Sequence, residues 1–275
     1  MIYNQVIIRT GEIFLKGKNR SYFERILHQN IQKLTKVSIK KLRFRWVANY
    51  FSEHQKLKYV FGLTSYSPAL RVDKDMLEIK KSALSLLDSK KRSFKVQTKR
   101  SDKSFPSTSH EINIEIGKYI EENSKLRFDS ENPEQILGVE INQDGTFLFL
   151  GSIACFGGLP VGVEGKVGLL LEDEASLLAG LLFMKRGCDL ELLSFEDKKL
   201  DISLLQKFTP KELNLVNVKD WKELERYVLS KNLAALVSAQ NYDGYKKYPT
   251  SLLIFRPLIA YSEERIREEL KMFGF

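Results

Sequence analysis

Cysteine and histidine are scarce: 275 residues contain only Cys155, Cys188, His28, His54 and His110. The two cysteines lie far apart and form no C-x-x-C pair, so a disulfide framework and a zinc ribbon are both excluded. The scattered histidines add no metal-ligand spacing, and no metal site is expected. Long apolar runs are missing as well. Glu172, Asp173 and Glu174 cut the most apolar region in half, well short of the roughly 18 uncharged residues that a membrane-spanning helix needs. Near the start, Arg9, Glu12 and Lys16 interrupt any signal-peptide core. The expectation is a cytoplasmic protein with no membrane partner.

What the chain has in quantity is positive charge, unevenly spread. Lys+Arg number 44 against 35 Asp+Glu, a net charge of +9. The first 100 residues hold 23 basic and 7 acidic residues, net +16, and the remainder 21 and 28, net −7. A hydrophobic fraction of 43% is that of a globular chain and excludes a disordered one. Cationic charge so concentrated points to a polyanion. In Lys41-Leu42-Arg43-Phe44-Arg45-Trp46-Val47 basic and apolar residues alternate. A strand there buries Leu42, Phe44 and Trp46 and displays Lys41, Arg43 and Arg45. Lys95 and Lys99 alternate in the same way with Phe94, Val96 and Thr98. No segment pairs a cationic face with a broad apolar one at helical spacing, as a membrane-surface helix would. Nucleic acid is therefore the favoured polyanion.

Periodicity gives a succession of strands and helices. Residues 5–9 read as a buried strand around Val6, Ile7 and Ile8, followed by a polar loop over 11–18. Asn19 is placed to cap a helix with Phe23, Ile26, Leu27, Ile31 and Leu34 on its apolar face. A helix over 76–87 leads to a strand over 94–98 and then a loop over 99–107. Thr108 and Glu111 have capping-box spacing, and Ile112, Ile116 and Ile120 share one face of the helix that follows. The loop thus delivers Lys99, Arg100 and Lys103 beside a helix N-terminus, as a phosphate clamp would. After a strand over 147–150, Gly157, Gly158, Pro160 and Gly162 mark a linker. Beyond it, strands over 167–171, 190–195 and 233–238 alternate with helices over Ala175–Lys185 and Trp221–Ser230. That alternation implies a parallel sheet, with ligands at the carboxyl ends of its strands and the turn after Leu171 as the place to look.

Six motifs occur in order: GEIFLKGKNRSYFERIL, FGLTSYSPA, KRSDKSFPSTSHEI, GGLPVGVEGKVGLLL, MKRG and RPLI. Together they resemble the tRNA 4-thiouridine synthetase (tRNA sulfurtransferase) family. The resemblance implies a fold that is α/β and α+β: a ferredoxin-like basic domain at 1–72, a THUMP RNA-binding domain at 73–156, a linker at 157–165, and a truncated Rossmann-like PP-loop pyrophosphatase-type domain with a parallel sheet at 166–275. In that family the first two domains bind tRNA, and the third adenylates a uridine before sulfur is inserted. A homodimer is implied too. On this reading tRNA is held by Lys16, Lys18 and Arg20 in the first loop, Arg43 and Arg45 on the strand face, and Lys99, Arg100 and Lys103 before the capped helix, while Phe105 stacks on a base.

The chain departs from the family where adenylation would occur. Family members have leucines followed by Ser-Gly-Gly-x-Asp-Ser; here Leu171 is followed by Glu172-Asp173-Glu174-Ala175-Ser176. A phosphate loop needs glycine so that its N–H groups wrap the anion, and no negative side chain at the anion. At an effective dielectric near 20, each carboxylate–phosphate pair at about 4 Å costs roughly 4 kcal/mol. The three acids can instead cap the helix that follows. Cys188 is the last cysteine, whereas the family carries persulfide on a later one. RPLI is followed by Ala260-Tyr261-Ser262, where the family has glycine and a lysine-containing segment. The expectation is a tRNA-binding protein of tRNA modification without adenylation of its own, needing no cofactor. Two alternatives stand beside it. One is an ATP- and magnesium-dependent sulfurtransferase with an external sulfur donor; the other is an adaptor presenting tRNA to a modifying partner enzyme.

Overall fold

The structure, a computed structural model, describes residues 3–11, 13, 17–42, 45–195 and 200–275. The chain forms two compact units that interleave in sequence, one built from 1–9, 37–55 and 65–154, the other from 10–36, 56–64 and 155–275.

The first unit is organised on a sheet in the order β2-β3-β1-β4-β8-β7-β5-β6. Its strands are β1 (Gln5–Thr10), β2 (Ile39–Lys41), β3 (Trp46–Asn49), β4 (Leu63–Val72), β5 (Ser93–Arg100), β6 (Arg127–Phe128), β7 (Ile136–Asn142) and β8 (Gly145–Leu150), with β9 (Ile153–Ala154) pairing β4. Helix α1 (Arg20–Thr35) belongs to the second unit. Helices α2 (Met76–Leu86) and α3 (Ser109–Asn123) lie in the first. The capping box closes as expected, since Thr108 accepts from the Glu111 N–H and Glu111 from the Thr108 N–H. Ile112, Ile116 and Ile120 are each 0% exposed. They join Phe94, Val96, Leu137 and Val139 in one core, so the period-3.6 face of α3 meets the period-2 faces of β5 and β7.

One expected strand is divided between two. β2 ends at Lys41 and β3 begins at Trp46; they pair antiparallel with Lys41 opposite Trp46, and the Leu42 N–H donates to the Arg45 carbonyl at 2.7 Å. The register inverts the alternation: paired residues share a face, so Leu42 and Trp46, which one continuous strand would place on the same side, lie on opposite faces, and Leu42 clusters with Val47 instead. Leu42 and Trp46 are buried as expected. Arg43 and Phe44 lie outside the described residues.

The second unit carries a wholly parallel sheet in the order β12-β11-β10-β13-β14. Its strands are β10 (Lys166–Leu170), β11 (Asp189–Ser194), β12 (Leu215–Asn217), β13 (Leu236–Val237) and β14 (Ile254–Phe255), and its later helices α4 (Ala175–Lys185), α5 (Ser203–Gln206), α6 (Trp221–Ser230) and α7 (Glu263–Phe273). The chain winds outward from β10 in both directions, which opens a crevice at the carboxyl ends of β10 and β13. Helix α4 is apolar almost all round and correspondingly sunk in the core, with Leu177, Leu178, Ala179 and Leu181 at 0% exposure. Helix α1 continues from a 3-10 turn over Gly17–Asn19, so Asn19 is already in helical conformation and its side chain makes no cap bond. This corrects the expected Asn19 cap.

The segment expected as a linker is tied down. Leu159 and Val161 are buried, the Leu159 and Gly162 N–H groups donate to Lys185 and Gly187 carbonyls at 2.9 and 2.8 Å, and Asn30 donates to the Val161 carbonyl at 3.0 Å. Gly158 takes φ +76°, and a Cβ there would collide with the Lys185 carbonyl. Gly158→Ala therefore costs backbone strain and a steric clash together, at least about 2 kcal/mol. A urea melt of the variant should show the midpoint lowered with the slope unchanged.

Candidate functional site

Two places concentrate chemistry. The first is the turn between β10 and α4. Ser176, 0% exposed, takes the Glu172 and Asp173 N–H groups on its Oγ at 3.1 and 3.3 Å. The Asp173 carboxylate in turn accepts from the Ser176 N–H at 3.2 Å and its hydroxyl at 3.4 Å. Two of the turn's N–H groups, those of Glu172 and Asp173, are thus spent on its own serine. Of the three acids expected to cap α4, only Asp173 does so; Glu174 stands at the N-cap position and makes no side-chain cap bond. Glu172 turns toward β13 instead, accepting from the Tyr248 hydroxyl at 2.7 Å and the Ser238 hydroxyl at 3.4 Å. Burial, and the carboxylate beside it, hold the Tyr248 hydroxyl protonated well above the usual tyrosine range, which suits it as the donor. An open depression of about 420 Å³ adjoins the turn, lined by Glu172, Asp173, Gln240, Asp243, Lys246 and Glu263 among others. Among the described residues no group of three or more His, Cys, Asp or Glu side chains could hold a metal ion.

Neither thiol is disposed to be a nucleophile. Cys155 donates to the Leu57 carbonyl at 3.6 Å, and burial pushes its pKa up to about 12. Burial, with Glu164 and Asp189 nearby, raises that of Cys188 as well. A raised value means that the neutral thiol persists at pH 8. Iodoacetamide at pH 8 should leave both cysteines unmodified in the native protein and label both in urea, with mass spectrometry as the readout.

The second place is a cavity of about 450 Å³ in the first unit, lined by Arg45, Lys99, Arg100, Glu140, Asn142 and Asp144 among others. The sheet explains how residues so distant in sequence meet. β5 and β7 run parallel with Lys99 opposite Glu140 and Arg100 opposite Ile141, which sets the basic end of β5 beside the acid on β7. Glu140 accepts from Arg45 Nε at 2.8 Å and from Arg9 Nη2 at 3.0 Å. Arg9 also donates to Ser67 at 3.0 Å and lies 4.8 Å from the Phe149 ring centroid. Two guanidinium groups share one carboxylate.

Arg100 and its loop are shaped by their own contacts. Arg100 Nη1 donates to the Phe105 carbonyl at 2.8 Å and the Lys103 carbonyl at 3.3 Å. The Lys74 ammonium, then the Ser104 hydroxyl and N–H, hold the Asp102 carboxyl down to about 2. Lys99 and Lys103 are exposed. Phe105 is not available for stacking: it is 5% exposed and joins the core with Ile112 and Ile116. The loop folds the ring back because burying a phenyl group outweighs leaving it in water. Capping by Thr108 and Glu111 also occupies the end of α3, so the basic side chains carry what anion affinity the loop has. In the second unit Lys18 is exposed and Arg20 pairs with Glu24 at 2.8 Å; Lys16 lies outside the described residues. Arg9, Lys74 and Glu140 escaped the sequence reading. Glu140 had a signal, since a lone acid inside the apolar run Ile136–Asn142 demands a buried cation.

The THUMP domain family matches residues 73–150, and the ThiI ferredoxin-like domain family matches residues 5–67. A probable tRNA sulfurtransferase of Mycoplasmopsis synoviae is 35% identical over 230 residues, which are 82% of this chain and 61% of that protein. Its counterpart in Brevibacillus brevis is 38% identical over 209 residues, 71% of this chain and 52% of that protein. The crystal structure of a 4-thiouridine synthetase–RNA complex with bound ATP matches with a TM-score of 0.86 at 29% identity, covering 99% of this chain and 85% of that one. The chain spans between half and two thirds of the length of these two curated relatives. With a ThiI ferredoxin-like domain and a THUMP domain in the family's order, the chain belongs to the tRNA sulfurtransferase family.

Proposed function

We propose that this chain binds tRNA in the service of tRNA modification and that its parallel-sheet unit does not adenylate it. The observation that carries the second half is the Ser176 hydroxyl, which occupies two of the N–H groups of the turn, while Glu172 and Asp173 line the adjoining depression. A triphosphate with magnesium does not fit residues so arranged, because its charge meets carboxylates and the Glu172 and Asp173 N–H groups are taken. No adenylation step is therefore assigned to it. The first half rests on the cavity where Arg45, Lys99 and Arg100 converge, with Lys103 exposed on the same loop. We read 1–72 and 73–156 as the modules that hold tRNA, with Lys18 and Arg20 as further contacts.

The rival reading is a working ATP-dependent sulfurtransferase, favoured by the likeness to the ATP-bound synthetase structure. Binding of unmodified tRNA, followed by fluorescence anisotropy from 50 to 300 mM salt, tests the first half. The logarithm of the affinity should fall linearly with the logarithm of salt, by about 0.7–0.9 for each phosphate contacted. A flat dependence, or no binding, overturns it.

A further inference from the structure

We propose that residues 241–248 form a platform on which unpaired RNA bases stack. The proposal rests on the RNA-binding reading above and assigns a base-binding role to the second unit. Past the end of β13, Tyr242, Tyr245 and Tyr248 recur at every third position. Tyr248 is packed inward: its ring centroid lies 4.7 Å from that of Trp221, which itself lies 4.8 Å from that of Phe195. The Arg256 guanidinium stands 5.5 Å from the Tyr248 centroid and 5.0 Å from that of Tyr245. Phe195, Trp221, Tyr248, Arg256 and Tyr245 thus form a run of neighbouring planar groups leading from packed interior to solvent. At its open end Tyr245 is 53% exposed and Tyr242 82% exposed, with exposed Lys246 and Lys247 following.

The backbone that presents these rings is pinned. The Tyr242 N–H donates to the Ile259 carbonyl and the Gly244 N–H to the Asn241 side chain, both at 2.9 Å, and Arg256 Nε donates to Gln240 at 2.9 Å. Pinning lowers the ordering cost of binding. A tyrosine left 82% exposed gives folding almost none of the free energy its burial would supply. Aromatic faces interleaved with cations are the elements with which proteins hold single-stranded nucleic acid without reading its sequence. Charge chooses RNA over an acidic or apolar protein surface only in combination with those rings: on residues 241–248 Lys246 and Lys247 outnumber Asp243, and Arg256 lies against Tyr245 and Tyr248 from outside that segment. The adjoining depression contributes Glu172, Asp173 and Glu263, which repel phosphate and admit an uncharged ring. The strap also stands at the carboxyl side of a parallel sheet, where ligands of such folds are received.

The test compares wild type with Y242A, Y245A, Y245F and the double variant K246A/K247A, using unmodified tRNA and a fluorescent single-stranded RNA dodecamer. Each tyrosine-to-alanine change should weaken binding about tenfold and leave the salt slope unaltered, since no charge is removed. Y245F should bind like wild type, and K246A/K247A should flatten the slope by about 1–1.5. Both tyrosines are exposed, so thermal melts should match wild type. Wild-type affinities in Y242A and Y245A overturn the platform while leaving tRNA binding by the first unit intact. So does a Y245F as weak as Y245A, or loss of a protein partner with RNA affinity unchanged. A wild-type chain that binds neither RNA overturns the underlying reading as well.

Discussion

Replacing Lys99, Arg100 and Lys103 together with glutamine is expected to lower tRNA affinity roughly 10²–10³-fold at 0.1 M salt and to flatten the salt slope by two to three units. The size follows from counterion release, in which each neutralised phosphate contributes about 0.7–0.9 to the slope and close to one decade at that salt concentration. Arg100 has a second task, since its guanidinium holds the carbonyls of Lys103 and Phe105. The pair Lys99→Gln and Lys103→Gln isolates the electrostatic part, because both side chains are exposed and Arg100 stays in place. That pair should flatten the slope by about 1.5 and leave the melting temperature where it was. A slope unchanged in the triple variant would remove this loop from the interface.

Glu140→Ala is expected to destabilise the protein by about 3–5 kcal/mol, among the largest effects of any single polar substitution. The Glu140 side chain is 8% exposed and those of Arg9 and Arg45 are 14% and 25% exposed. Removing the carboxylate takes from two partly buried guanidinium groups the acid that they share. A urea melt should show the midpoint falling sharply while the slope stays constant. Glu140→Gln, which keeps an acceptor for one guanidinium, should lose less. In a folded E140Q protein the cavity gains one net positive charge, so tRNA binding should become more salt-dependent. A wild-type melt for E140A would mean that the cluster of three adds nothing to the fold.

Much of the fold was legible in the sequence because it is written locally. The bounds of α4 follow from an apolar run, α6 from apolar residues at helical spacing, the Thr108–Glu111 box from its spacing, and the parallel sheet from the alternation of strands and helices. Non-local facts were not legible. Lys41–Val47 alternates as one strand would, and only the pairing of Lys41 with Trp46 divides it between β2 and β3 and sends Leu42 and Trp46 to opposite faces. Phe105 sits in a polar, proline-containing loop and reads as exposed; only the anchoring of that loop by Arg100 and Asp102 returns its ring to the core. At the candidate site, sequence supplied Arg45, Lys99 and Arg100 separately, whereas the register of β5 on β7 brings the latter two beside Glu140. The acids after Leu171 were visible at once. That Ser176 occupies two of the turn's N–H groups, and that Glu172 leans on Tyr248, required coordinates. The spacing of Tyr242, Tyr245 and Tyr248 does not tell which rings face solvent; the packing of Tyr248 on Trp221 and the exposure of the other two do.

Isothermal titration calorimetry with ATP and magnesium, in the absence and presence of saturating tRNA, tests the central claim most directly. A closed turn spending two of its N–H groups on Ser176 beside Glu172 and Asp173 predicts no measurable heat of nucleotide binding in either arm up to millimolar ATP, while the same protein sample binds tRNA. Saturable ATP binding at micromolar concentration, with or without tRNA, would contradict the account and identify the chain as a nucleotide-using member of its family.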